Sequence, residues 1–131
     1  TFGHVLEALA GYDGRVVHGE AVSVGMVLAC YFSVFRSAMP IREAREVEDV
    51  LARLGLPTTI AQLGQNAPEP IDWARALAAP DTPGILAADK KAEASGVNLA
   101  LPHGIGDCRM EKGFVAAEII RFMQTHINGE W

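Results

Sequence analysis

The sequence contains little cysteine and no concentrated block of charge. Its two cysteines, Cys30 and Cys108, are too few for the disulfide framework of a small secreted domain. The net charge of −5 and the pI of about 5.3 argue against nucleic acid or an anionic membrane as the main partner. No basic segment followed by an apolar one resembles a signal peptide. We therefore expect a cytoplasmic protein that binds neither nucleic acid nor membrane.

Long apolar runs are also missing. The longest uncharged run lies between Glu20 and Arg36 and is shorter than the roughly 18–20 residues that a membrane span needs. Because half of the residues are apolar, the chain can bury one core of its own. We expect a single domain in which residues 19–36 form a central, buried helix. Gly25 inside this helix predicts a close neighbour or a ligand, because glycine costs a helix about 1 kcal/mol relative to alanine.

Several common catalytic patterns are absent from the sequence. No serine stands in a G-x-S-x-G elbow, and neither cysteine lies in a basic setting that would activate its thiol. The segment "HGIGD" at 103–107 does not join a strand to a helix, as a phosphate-binding loop does, and is typical of a hairpin turn. Catalysis by a nucleophile–base pair is therefore excluded as the leading hypothesis.

The hydrophobic pattern that is present predicts a mostly α fold with one small β-hairpin. The strongest amphipathic signal spans 42–54, where apolar residues recur at helical spacing and Gly55 ends the pattern. Apolar residues alternate over 97–101, which predicts a strand, and 108–110 supplies a partner strand. Proline and glycine predict loops at 64–70 and 80–84. The remaining predicted helices span 4–10, 71–79 and 114–126.

Imidazole and carboxylate groups near the start of the chain could bind a metal. His4 and Glu7 share a face on a helix, and His18 precedes the next helix. Spacing alone favours ordinary residues, with Glu7 as an exposed helix residue. His103 and His126 show no partner pattern and are assigned to the surface. The lysine pair in "ADKKAEASG" at 88–96 either holds a phosphate or belongs to a solvated loop.

Taken in order, five stretches resemble one enzyme family. "TFGHVLEALAGY", "HGEAVSVGMVLA", "LGLPT", "DKK" and "LPHGIG" are similar to the C-terminal helical half of the 3-dehydroquinate synthases, over almost the whole chain. The first two stretches are typical of sugar-phosphate cyclases in general, and a more distant likeness is to the iron-dependent alcohol dehydrogenases. The resemblance implies that residues 1–131 form the multi-helix C-terminal domain of this fold, without its N-terminal NAD-binding domain.

The resemblance also implies an activity. Enzymes of this family are phosphate-eliminating carbon–oxygen lyases that convert 3-deoxy-D-arabino-heptulosonate 7-phosphate into 3-dehydroquinate in the shikimate pathway. They use NAD and a divalent metal, zinc or cobalt, and the resemblance implies a homodimer. Two alternatives stay open: another sugar-phosphate cyclase that makes a cyclitol or inosose, and a stand-alone helical domain that serves in binding or assembly.

Three residues carry implied roles. His4 matches a catalytic histidine near the substrate phosphate, His18 matches a metal ligand, and Lys90 matches a lysine that contacts the phosphate. The family's other metal-binding histidine would fall immediately before Thr1, and its glutamate ligand lies in the N-terminal half. We therefore expect a truncated chain that binds no metal or NAD by itself and has no activity alone. His4 and His18 should share one face that is open to solvent.

Overall fold

The computed structural model describes residues 1–87, 92–93 and 96–131. Over these residues the fold is mostly α, with a small antiparallel sheet placed between the fifth and sixth helices of the chain. This architecture confirms the predicted fold class. The helices are α1 (Phe2–Leu9), α2 (His18–Phe35), α3 (Ile41–Arg53), α4 (Trp73–Ala78), α5 (Thr82–Ala87) and α6 (Ala116–Thr125), and the strands are β1 (Ala92–Glu93), β2 (Gly96–Gly104) and β3 (Asp107–Phe114).

Helix α2 is the centre of the fold and packs against α1, α3 and β2. Within the described residues it is the one helix long and apolar enough to cross a membrane, but 61% of it is buried inside the domain. An apolar helix with burial on several sides is the expected centre of a helical core. The prediction of a buried core helix over 19–36 is therefore confirmed.

Two glycines bring α1 and α2 into backbone contact. A Cβ atom added at Gly25 would lie 3.0 Å from the backbone nitrogen of Gly3, and one added at Gly3 would lie 3.1 Å from the carbonyl oxygen of Ala21. Only a residue without a side chain permits this distance between two helices. The close neighbour predicted from Gly25 is thus α1 itself.

An aromatic cluster anchors the start of α1 in the core. The Phe2 ring contacts Phe32 of α2 and Phe122 of α6 with centroid distances of 5.9 and 6.3 Å. Val5 and Leu6, on the next turn of α1, are fully buried. Helix α1 is therefore held both by ring contacts and by aliphatic packing.

The predicted hairpin is present and longer than expected. Strands β2 and β3 pair antiparallel, with Leu99 opposite Glu111 and Leu101 opposite Arg109, and β1 adds a two-residue strand at the edge. Leu99 and Leu101 are buried while Ala100 between them is exposed. This alternation places one face of β2 against α2.

The break predicted at 80–84 is wrong, because α5 begins inside that segment. Pro83 stands in the first turn of the helix, where its missing N–H removes no hydrogen bond. The buried hydroxyl of Thr82 donates to the carbonyl oxygen of Ala76 at 2.8 Å, and Leu86 is fully buried. Tertiary burial therefore forms a helix where local punctuation indicated a loop.

The surface assignment is wrong for His126, whereas His103 is partly exposed. His126 is buried, and the centroid of its ring lies 5.1 Å from that of Phe35. Its Nδ1–H donates a hydrogen bond to the carbonyl oxygen of Glu130 at 3.0 Å. His103 is half-buried, with Nε2 3.0 Å from a carboxylate oxygen of Glu111. The Phe35 ring reaches His126 only through tertiary packing, and Glu111 reaches His103 only through strand pairing, so the local sequence pattern did not reveal either contact.

Candidate functional site

One groove collects the histidines and the carboxylate that the sequence analysis named at the start of the chain. It has a volume of about 680 Å³ and is lined by residues of α1, α2 and the β2–β3 hairpin. His4, Glu7 and His18 lie on its wall, and most of the remaining lining is apolar, including Val22 and Met26. A concave apolar site with a few convergent polar groups is the usual form of a small-molecule site.

His4 and His18 are both exposed and line this groove from neighbouring helices. His4 lies near the start of α1, whereas His18 is the first residue of α2. The shared open face that the sequence predicted is therefore present. The chemical roles of the two histidines remain predictions.

Glu7 is not the exposed helix residue that the spacing predicted. Its Oε1 accepts a hydrogen bond from Nδ1 of His18, and its side chain is only 16% exposed while that of His18 is 70% exposed. The carboxylate thus lies largely between the two helices and the imidazole projects from them. The contact arises because the backbone approach at Gly3 and Gly25 brings α1 against α2, which spacing along α1 alone does not reveal.

Glu20 has a structural role at the start of α2 and not the role of a metal ligand. Its Oε1 accepts from the backbone N–H of Val17 at 3.4 Å, at the first turn of α2. A carboxylate there satisfies an otherwise unpaired N–H group and complements the helix dipole. Glu20 therefore stabilises the start of the helix that carries His18.

The donor set by itself does not close a metal site. Within residues 1–87, 92–93 and 96–131, no group of three or more His, Cys, Asp or Glu side chains is placed to hold a metal ion. His18 can offer one nitrogen, Nε2, because its Nδ1 is engaged by Glu7. A catalytic zinc takes three protein ligands, so the described residues fit a contribution of one imidazole to a site completed elsewhere.

Lys90, the lysine that the resemblance assigns to the substrate phosphate, lies outside the described residues. The structure therefore assigns it neither to the groove nor away from it.

The hairpin tip forms another part of the groove, and a carboxylate of α3 positions it. The backbone N–H of Ile105 donates to Oε1 of Glu43 at 3.1 Å. Gly104, Gly106 and Asp107 of the tip line the groove, while Glu43 does not. No local signal in the sequence connects Glu43 to residues 62 positions away.

Both cysteines also line the groove. Cys30 is buried. Burial is the main reason why the pKa of its thiol is raised from 9.0 to about 11, and the nearby Cys108 contributes to the increase. Cys108 is exposed on β3. The prediction that Cys30 packs as a small hydrophobic residue is confirmed.

Comparisons with known proteins agree on one family. Residues 1–92 match the family model described as 3-dehydroquinate synthase C-terminal. A 3-dehydroquinate synthase of Bradyrhizobium sp. is 36% identical over 98% of this chain and 32% of the relative. One of Sinorhizobium medicae is 39% identical over 97% of this chain and 31% of the relative, and one of Rhodopseudomonas palustris is 36% identical over 97% and 32%. The chain thus spans about one third of the length of these curated relatives.

Proposed function

The chain belongs to the 3-dehydroquinate synthase family, and on this premise we propose that it forms the C-terminal, metal-binding and phosphate-binding half of a 3-dehydroquinate synthase. The complete protein converts 3-deoxy-D-arabino-heptulosonate 7-phosphate into 3-dehydroquinate and phosphate, in the shikimate pathway of the cytoplasm. The observation that carries the proposal is the single groove that brings His4, Glu7 and His18 together.

In this proposal His18 supplies one metal ligand. The Glu7 carboxylate engages Nδ1, so Nε2 carries the lone pair that a zinc or cobalt ion binds. A metal held there would supply Lewis-acid polarisation of a substrate oxygen, and bound NAD would supply the hydride chemistry. A catalytic zinc site takes three protein ligands, so His18 would be one ligand of such a set.

His4 has a different role because it projects into the groove from α1. We assign it to the substrate phosphate, where an imidazole N–H donates a hydrogen bond to a phosphate oxygen. Lys90 supplies an ammonium group to the same phosphate. A lysine ammonium is a compact point charge that binds phosphate without requiring a planar geometry.

Residues 1–131 need an NAD-binding domain and a second copy of the protein for the proposed activity. They form one C-terminal domain, an N-terminal domain binds NAD, and two copies associate as a homodimer. The apolar wall of the groove, with Val22 and Met26 partly exposed, is consistent with a surface that another part of the protein covers. The 131-residue chain alone is then inactive.

The experiment uses the full-length protein and measures both bound metal and phosphate release from the heptulosonate phosphate, with NAD and zinc present. His18→Ala should lose zinc and activity together, whereas His4→Ala and Lys90→Ala should keep zinc and lose activity. His103→Gln is the matched control, because His103 pairs with Glu111 and does not line the groove. It should keep both properties.

Three results would overturn the proposal. Full zinc occupancy in His18→Ala would show that His18 is not a metal ligand. Phosphate release by the 131-residue chain alone would show that a complete site lies within it. Turnover of a different sugar phosphate, with none of this one, would move the protein to another cyclase reaction.

A further inference from the structure

The contact between Glu7 and His18 joins a largely buried carboxylate to a largely exposed imidazole. Glu7 Oε1 accepts from His18 Nδ1, and the side chains are 16% and 70% exposed. The carboxylate is therefore the fixed member of the pair and the imidazole is the member that faces the groove.

The backbone holds Glu7 where it can act in this way. A Cβ atom added at Gly25 of α2 would lie 3.0 Å from the backbone nitrogen of Gly3 in α1, and Phe2 and Leu6 of α1 are buried in the core. Helix α1 cannot move away from α2 without breaking this packing. Glu7 is thus presented to His18 by a rigid element, which is what a precise site requires.

The chemistry of imidazole gives this contact a function. A neutral ring has one N–H and one lone pair, and a carboxylate that accepts from Nδ1–H leaves the lone pair on Nε2. Nε2 then faces away from the carboxylate with the ring plane fixed. Carboxylates that hold metal-binding histidines in this way also raise the basicity of the ligand.

We propose that Glu7 is a positioning residue for the metal site: it selects the tautomer and the ring orientation of His18. The inference rests on the proposed function of His18 as a metal ligand and goes beyond it, because it assigns a role to a second residue that does not bind the metal. Loss of such a partner lowers metal affinity about 10-fold to 100-fold.

The test measures zinc and cobalt(II) binding by the full-length protein in competition with a chelator, together with the visible absorption of the cobalt complex. Glu7→Ala should weaken the affinity for both ions about 10-fold to 100-fold and alter the cobalt absorption. Glu7→Gln should recover part of the affinity, because its side-chain oxygen still accepts from Nδ1–H. Glu20→Ala is the control, since Glu20 supports the start of α2 without contacting His18. It should lower thermal stability and leave metal affinity unchanged.

The outcomes separate this inference from the proposed function. If His18→Ala abolishes metal binding while Glu7→Ala leaves affinity and absorption unchanged, the positioning role is wrong and the ligand assignment stands. If His18→Ala binds metal normally, the proposed function itself fails. Equal, complete loss of metal in His18→Ala, Glu7→Ala and Glu7→Gln would make Glu7 a ligand and overturn the positioning role.

Discussion

Replacing Gly25 with alanine should destabilise the protein, although alanine is the better helix former. The new Cβ would lie 3.0 Å from the backbone nitrogen of Gly3 and 3.4 Å from its Cα. These are backbone atoms of α1, so no flexible side chain can rotate out of the way. The two helices must separate for the alanine to fit.

The magnitude follows from two opposing effects. Alanine gains about 1 kcal/mol over glycine in a helix interior. Forcing one extra carbon into a packed contact costs about 1–3 kcal/mol. Since Phe2, Val5 and Leu6 are buried and hold α1 in the core, the cost lies toward the upper part of this range. We expect Gly25→Ala to lower the free energy of unfolding by about 1–2 kcal/mol.

Urea unfolding followed by circular dichroism measures this change, and Gly19→Ala is the matched control. Gly19 lies in the first turn of the same helix, and a Cβ added there would meet nothing within 4 Å. The control should be neutral or stabilised by up to about 1 kcal/mol. If the Gly25→Ala variant is at least as stable as the original protein, the reasoning is refuted, because α1 would then have moved away from α2 without loss of unfolding free energy.

Three further predictions concern buried groups. A thiol reagent at neutral pH should modify Cys108 in the folded protein and reach Cys30 only after unfolding; equal rates would contradict the buried, high-pKa thiol. Stability should fall as pH rises above about 9, because burial raises the pKa of Cys30 to about 11 and that of Tyr31 to about 12, so the unfolded chain loses protons first; an unfolding free energy that stays flat up to pH 11 would argue against this. Trp73→Phe should cost about 1–3 kcal/mol, because Nε1 of Trp73 donates to the buried carbonyl oxygen of Leu63 at 3.0 Å; an unchanged urea midpoint would show that this bond contributes nothing.

Local patterns predicted most of the secondary structure. The amphipathic stretch 42–54 became α3, and the alternation of Val97, Leu99 and Leu101 became β2. In β2 the alternating apolar residues are all buried, although Asn98 between them is buried as well. In 42–54 Leu51 is buried, whereas Val50 and Leu54 are exposed, so periodicity predicted the element better than its buried face. Helix α5 was missed because Pro83 is read locally as a break, whereas burial of Leu86 makes a helical turn favourable.

Some residues of the candidate site could be identified from the sequence, and others could not. Motif resemblance identified His4 and His18, because a motif is recognised from residue types and their order along the chain. Glu7 was misassigned and Glu43 was missed, since each acts on a residue that reaches it only after the helices and the hairpin have packed. His126 was assigned to the surface because its aromatic partner Phe35 lies on another helix.

The sequence by itself determined most of the helix and strand segments and the central position of α2, and its resemblance to the family singled out the candidate histidines. These features depend on side-chain type and on spacing along the chain, which are local properties. Only the tertiary structure decided that Glu7 meets His18, because that contact requires two glycine-bearing helices to approach at backbone distance. A contact between helices is set by the packing of many remote side chains at once, and no single stretch of sequence specifies that packing.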